Sequence, residues 1–169
     1  MQITVVFVST ADVLYFFEYF VRVRARDRGQ SSCESPSKHM NDDIPAILNA
    51  ASRIAVVGLS EKPYRMSYII AESLRAYGYT VLPVNPLLDH WNDLPCWPDL
   101  VSVPGPIDIV NVFRRSEHVA AVVDDAIAAG ATVLWTQSGV ADYSAAAKAE
   151  TAGLQVVMDR CIAAELARR

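Results

Sequence analysis

Apolar residues fall along this chain in short β-branched runs separated by stretches of helical period. Ile54 to Val57 is an unbroken apolar run, the pattern of a strand buried on both faces. Tyr79 to Val84, Asp108 to Phe113, Thr132 to Thr136 and Leu154 to Met158 predict four more strands. Ile44 to Ala51 reads as a short helix, with Asp43 placed as its N-cap and Pro45 in the first turn. Ser67 to Tyr77 carries apolar residues at Ile70, Leu74 and Tyr77, and Gly78 stands at the C′ position. Ser116 is placed to cap a helix whose Val119, Val122, Val123, Ala126 and Ile127 share one face, and Gly130 ends it. Asp142 caps an alanine-rich helix that Gly153 ends, and Ile162 to Arg169 predicts a last helix. Leu87 to Pro106 reads as a loop, with Trp91, Trp97 and four prolines.

Strands that alternate with helices through short links imply right-handed crossovers and a parallel sheet. The expected fold is therefore α/β: a doubly wound parallel sheet of about five strands with helices on both faces. In such sheets ligands sit outside the carboxyl ends of the strands, where the strand order reverses. Gly58 to Arg65, Pro83 to Pro86, Arg114-Arg115 and Thr136 to Gly139 each follow or end a strand, so they fall along that one edge.

The segment Arg53 to Ser67, RIAVVGLSEKPYRMS, carries the most chemistry. It predicts a buried strand, a glycine turn, a polar basic loop and a helix that starts near Ser67. A helix N-terminus gathers unpaired N–H groups and the positive end of the dipole, so it suits an anion. Lys62 and Arg65 add positive charge to the same loop. The chemistry this favours is binding a phosphate or pyrophosphate. The loop has one glycine, so it is not the G-x-G-x-x-G dinucleotide fingerprint. Dinucleotide sites that take NAD commonly place an acid after the second strand, and here Asn85 stands there between Pro83-Val84 and Pro86. Asparagine offers a donor and an acceptor without charge, so it can meet an adenine or a ribose beside a phosphate. Together these features favour an adenine nucleotide with an extra phosphate over NAD.

Bulk properties narrow the classes further. The chain has 169 residues, 52% of them hydrophobic, enough for one domain with a substantial core. A net charge of −4 with no basic stripe argues against a nucleic-acid partner. Cys33, Cys96 and Cys161 are odd in number and widely spaced, which points to neither a disulfide framework nor a zinc site. The default compartment is then a reducing cytoplasm. Residues 1–39 read differently. Ile3 to Val21 is apolar and aromatic but contains Asp12 and Glu18, and Arg22, Arg24, Arg26 and Arg28 follow it. A secretory signal has the opposite order, and acids inside a membrane span are costly. The expectation is a domain of residues 40–169 that begins near Met40, with 1–39 a spurious or disordered extension and a membrane-associating segment as the alternative.

Five motifs together resemble a known family: IAVVGLSEKPYRMSY, PVNP, DIVNVFRRSE, AGATVLWTQSGV and GLQVVMDRC, in that order. They are similar to the small CoA-binding domain family, Rossmann-like and related to the N-terminal CoA-binding domain of the succinyl-CoA synthetase alpha subunit. The resemblance covers about Asp42 to Arg169. It implies that Gly58, Ser60, Lys62, Arg65 and Ser67 surround the CoA phosphates. It implies that Pro83, Val84, Asn85 and Pro86 line the adenine and ribose. Phe113, Arg114 and Arg115 would close the end of the third strand, and Trp135, Gln137 and Gly139 would contribute from the fourth. The synthetase's second domain, with its phosphorylated histidine, is expected to have no counterpart here, so the ligase activity is not carried over.

Other residues have plainer readings. Arg114 and Arg115 are adjacent and diverge if still in a strand, and one of them is expected to pair with an acid such as Asp108 or Glu117. Trp135 reads as core, and Trp91 and Trp97 as loop packing or a lid. Cys161 reads as a buried thiol, since nucleophilic use would need a lowered pKa. No Ser-His-Asp order, carboxylate pair or metal cluster stands out in the sequence. The function expected is a non-catalytic module that binds coenzyme A or an acyl-CoA, a CoA-type small molecule, with neither nucleic acid nor membrane as partner and a homo-oligomer left open. The alternatives are a small acyl-CoA or thioester-processing enzyme in which Cys161 or a polar loop residue takes part, or an NAD(P)-linked oxidoreductase.

Overall fold

Residues 43–169 are described by the structure, a computed structural model. The expected extension over residues 1–39 lies outside the described residues. The chain runs α1 (Ile44–Ala50), β1 (Arg53–Val57), α2 (Met66–Ala76), β2 (Thr80–Val84), β3 (His90–Trp91) and β4 (Leu94–Pro95). It continues with β5 (Ile109–Val112), α3 (Val119–Ala128), β6 (Val133–Thr136), α4 (Tyr143–Thr151), β7 (Gln155–Val157) and α5 (Ile162–Leu166). Five strands form one sheet in the order β2-β1-β5-β6-β7, and every pairing in it is parallel. The order reverses at β1, whose neighbours are β2 on one side and β5 on the other. A ligand crevice is expected at this switch point.

Both faces of the sheet are covered, which is why its strands read as unbroken apolar runs. Ala55, Val57, Leu82, Val84, Val110, Val112, Leu134 and Val156 face one way, into a core closed by Val119, Val122 and Val123 of α3 and Ala145, Ala146 and Ala149 of α4. Strand alternation sends Ile54, Val56, Ile109, Asn111, Val133 and Trp135 to the opposite face. There α2 packs against β2 and α5, and α1 against α5.

Local chemistry explains most boundaries. Gly78 takes φ +91, Tyr79 donates its N–H to the Leu74 carbonyl at 3.1 Å and Gly78 donates to Arg75 at 2.9 Å, the paired bonds of a Schellman stop for α2. Asp142 caps α4 as expected, its carboxylate accepting from the Ala145 N–H at 3.0 Å. Pro83 is accommodated because β2 is an edge strand and its nitrogen faces away from β1. On that outer side the Pro83 carbonyl accepts from Trp97 N–H, and Asn85 N–H donates to Trp97, both at 2.9 Å.

Several expectations need correction. Asp43 makes no side-chain cap; its backbone carbonyl accepts from Ile47. Ser116 does not cap α3. It opens a single 3₁₀ turn over Ser116–His118, and its hydroxyl accepts from Ala141 N–H at 3.3 Å, so a distant loop has taken the oxygen a cap would need. α2 starts one residue early, at Met66, with Arg65 in the capping position. The segment Leu87 to Pro106 is not all loop, because β3 and β4 form an antiparallel hairpin turned at Asn92 with φ +52. Trp91 packs inward there, edge-on to Tyr68 with ring centroids 5.2 Å apart and with the Arg75 guanidinium 5.9 Å from its ring. It is hairpin packing rather than a lid. α5 ends at Leu166, short of Arg169.

Candidate functional site

The site is built around a close approach at the switch point. β1 ends at Val57 and the chain turns at Gly58, with φ +83 and its N–H donated to the Val84 carbonyl at 2.9 Å. A Cβ on Gly58 would lie 2.5 Å from the Phe113 carbonyl oxygen and 3.1 Å from Arg114 Nε. Only glycine lets the ends of β1 and β5 meet this closely while also taking the left-handed turn. Phe113 N–H completes the contact by donating to Val57 O at 2.8 Å.

Beyond Gly58 the chain forms a self-braced loop. Leu59 is buried and anchors it. Ser60 N–H donates to Ser67 Oγ at 3.1 Å, Lys62 N–H to Ser60 Oγ at 3.2 Å, and Arg65 N–H to Lys62 O at 3.0 Å. Ser67 is therefore the buried brace of the loop rather than a freely offered hydroxyl. Lys62 and Arg65 are exposed, and no ion pair holds either of them among the described residues. A loop with two free cations leads straight into the N-terminus of α2, an arrangement that suits an anion.

Asn85 is positioned by the same loop. Its Nδ2 donates to Leu59 O at 2.7 Å, and its Oδ1 accepts from Leu87 N–H at 3.0 Å. The carboxamide ties the end of β2 to the glycine turn, which leaves one N–H free for anything else. Pro83 is buried in β2, Val84 is buried at its end, and Pro86 is exposed.

A cleft of about 300 Å³ opens beside this edge. Val57, Val84, Pro86, Leu100 and Val122 give it apolar walls, Arg114, Asp99 and Asp125 bring charge, and His118 adds a polar ring. The two arginines part ways, as expected for neighbours. Arg114 lines the cleft, whereas Arg115 is 84% exposed and sits 3.7 Å from Glu117. Asp108 takes neither. Its carboxylate accepts from Ser52 N–H and Arg53 N–H, both at 2.8 Å, and so pins the start of β1.

The ends of β5 and β6 carry a buried amide pair. Asn111 is 0% exposed and Gln137 is 8% exposed, and Gln137 Nε2 donates to Asn111 Oδ1. Asn111 Nδ2 and Gln137 Oε1 have no partner. Gln137 was expected at this edge; Asn111 was not. Its signal was legible, as one polar residue inside the apolar run DIVNVF, where a polar side chain must find a partner. Trp135 is core, with its indole N–H donating to Arg160 O at 2.7 Å. Gly139 N–H is taken by the Asp159 carboxylate at 2.6 Å, and Asp159 itself has φ +57.

Among the described residues, Cys96 and Cys161 do not read as nucleophiles. Burial pushes the Cys161 thiol up, and the backbone N–H groups of Ala164 and Ala163 offset it only in part. Burial likewise raises Cys96. Among the described residues no group of three or more His, Cys, Asp and Glu could hold a metal ion. No helix among them is long and apolar enough to cross a membrane.

Residues 52–167 match the family described as CoA binding domain. The chain is 40% identical over 129 residues to the uncharacterized protein YneT of Bacillus subtilis (strain 168), covering 76% of this chain and 93% of that one. A hypothetical protein from Pyrococcus horikoshii OT3 has the same fold, with a TM-score of 0.74, 33% identity, and coverage of 82% of this chain and 98% of that one. The apo form of the dinucleotide forming acetyl-coenzyme A synthetase 1 of Ca. Korarchaeum cryptofilum matches with a TM-score of 0.56 and 28% identity. That match covers 62% of this chain but 25% of the synthetase. A parallel sheet that switches at a glycine turn, a cationic loop behind it and these likenesses agree: the chain belongs to the CoA-binding domain family.

Proposed function

We propose that this protein binds coenzyme A or an acyl-CoA across the carboxyl edge of its sheet, as a binding module without chemistry of its own. The observation that carries the reading is the approach of Gly58 to Phe113, which sets a braced loop with two free cations at the point where the strand order reverses. Gly58, Ser60, Lys62, Arg65 and Ser67 form the phosphate loop in this reading. The apolar cleft beside Val84 and Pro86 receives the adenosine end, with Arg114 at its wall. Asn85 acts by holding Leu59 in place, and Phe113 by closing the glycine turn. Gln137 and Gly139 mark the far end of the ligand path. Arg115, paired with Glu117 and turned to solvent, contributes least. The raised thiol of Cys161 supports binding over thioester chemistry, which needs a ready thiolate.

The test is thermal unfolding of the full chain with CoA, acetyl-CoA, 3′-dephospho-CoA, NAD and NADP. A ligand that binds only the folded state raises Tm in a concentration-dependent way. The reading expects a rise with CoA and acetyl-CoA, and a smaller one with dephospho-CoA. A rise with NAD or NADP alone overturns it in favour of an oxidoreductase cofactor.

A further inference from the structure

The cleft and the cationic loop belong to opposite faces of the sheet. Ala121, Val122 and Asp125 of α3 line the cleft, whereas the loop runs into α2 on the other face. The β3–β4 hairpin is attached to both. Its legs grow out of the cleft wall: Pro86 precedes it, Pro98 and Leu100 follow it, and Cys96 N–H closes its base on the Asp89 carbonyl at 2.9 Å. Its tip grips α2. Asn92 Oδ1 accepts from the Tyr68 hydroxyl at 3.2 Å, Asn92 Nδ2 donates to Glu72 Oε1 at 2.7 Å, and Asp93 Oδ1 sits 3.0 Å from the Arg75 guanidinium. Tyr68 directly follows Ser67, which braces the loop by accepting from Ser60 N–H. Tyr68 N–H also donates to the Arg65 carbonyl at 3.0 Å, so the tip is one residue's bonding away from the loop itself.

Folding has little need of these polar bonds. Trp91, 1% exposed, already seats the hairpin, and Asn92 bonds its partners at the surface, where such contacts add little stability. What they add is position, because both atoms of the carboxamide are committed to the first two turns of α2. A ligand that uses two subsites gains from binding both only where the protein holds them at the separation the ligand spans. A small misplacement then weakens the whole ligand and spares each half. Resting on the CoA reading above, we propose that Asn92 is a positioning residue for that ligand. From the hairpin tip, through Tyr68 and Glu72, it sets α2 and the cationic loop at a fixed distance from the cleft. It does so without lining the cleft itself.

The experiment compares CoA with its two halves, adenosine for the cleft and inorganic pyrophosphate for the loop. Calorimetry follows CoA and NMR titration at millimolar concentration follows the halves, on the full chain and on its Asn92→Gly variant. Glycine takes the left-handed φ of +52 without steric cost and removes both bonds, so the urea midpoint should stay close to that of the unaltered chain. CoA affinity should fall by about fivefold to tenfold, the worth of two surface hydrogen bonds, while each half changes by less than about twofold. Tyr68→Phe should give part of that fall, and adding it to Asn92→Gly should weaken CoA no further, since both remove the same bond. An unchanged CoA affinity overturns the inference. Weakening of the halves along with CoA overturns it too, because Asn92 then merely supports the fold. A half that does not bind the unaltered chain also overturns it, as there would be no second subsite to align. If the unaltered chain does not take CoA, the CoA reading itself falls; if it takes CoA and the variant takes it equally well, only the role of Asn92 falls.

Discussion

The carbonyl oxygen of Phe113 occupies the space where a side chain on Gly58 would begin, 2.5 Å from its Cβ position. Gly130 has a similarly positive φ of +66 but open space around it. The two glycines therefore separate conformational strain from crowding. Gly130→Ala should cost about 1–2 kcal/mol, the strain of a left-handed alanine. Gly58→Ala should cost about 2–4 kcal/mol, because the Phe113 backbone must also give way. Urea midpoints at constant m-value measure both. Equal losses would mean that the close approach of β1 and β5 carries no energy.

Lys62 and Arg65 stand free in the loop between β1 and α2, while Arg115 is paired with Glu117. Lys62→Ala combined with Arg65→Ala should weaken CoA binding by about tenfold at low salt, roughly the worth of two exposed charge contacts. The difference should shrink as salt rises, because exposed charges are screened. Arg115→Ala should leave affinity within about twofold. Calorimetric Kd values at two salt concentrations check this, and an unchanged double variant would remove the phosphate loop from the site.

The sequence made the sheet legible because a strand buried on both faces must be apolar throughout, and Ile54–Val57, Ile109–Val112 and Val133–Thr136 are nearly so. It placed the glycine turn and the edge residues for the same reason: short links leave each strand end little freedom. Strand order was not legible, since nothing local in β5 says that it pairs with β1 rather than β2. Ser116 and Ser67 show the limit of local capping rules. Each has a hydroxyl that a nearby helix could use, and each gives it to an N–H from another segment, Ala141 and Ser60. Asn85 shows the same limit in the site, its carboxamide being spent on Leu59 and Leu87. The hairpin at Asn92 was hidden because strands of two residues have no period to read.

Cys161 tests the binding reading against a catalytic one. Burial holds its thiol above the ordinary value, so little thiolate forms at neutral pH. Alkylation of the folded chain at pH 7, followed peptide by peptide, should modify Cys161 more slowly than glutathione under the same conditions. Cys161→Ser should leave CoA affinity within about twofold, as no nucleophile is removed from the ligand path. Rapid alkylation that CoA suppresses would place this thiol in the site and reopen thioester chemistry.

Asp108 couples the start of β1 to pH. Burial raises its pKa, but the N–H groups of Ser52 and Arg53 and the Ser52 hydroxyl together outweigh burial and hold the carboxyl below the usual range. A carboxylate whose pKa is depressed by folding adds stability that is complete above the unfolded value and lost as pH falls through the folded one. The unfolded value is about 3.9. Asp108→Asn should therefore lower stability by about 1–2 kcal/mol at pH 7, the worth of charge-assisted bonds discounted for partial exposure. That difference should stay constant down to about pH 5 and shrink steadily below about pH 4. Denaturant titrations of both chains across this range give the result. A difference that does not shrink in acid would show that the charge on Asp108 is not what pins Ser52 and Arg53.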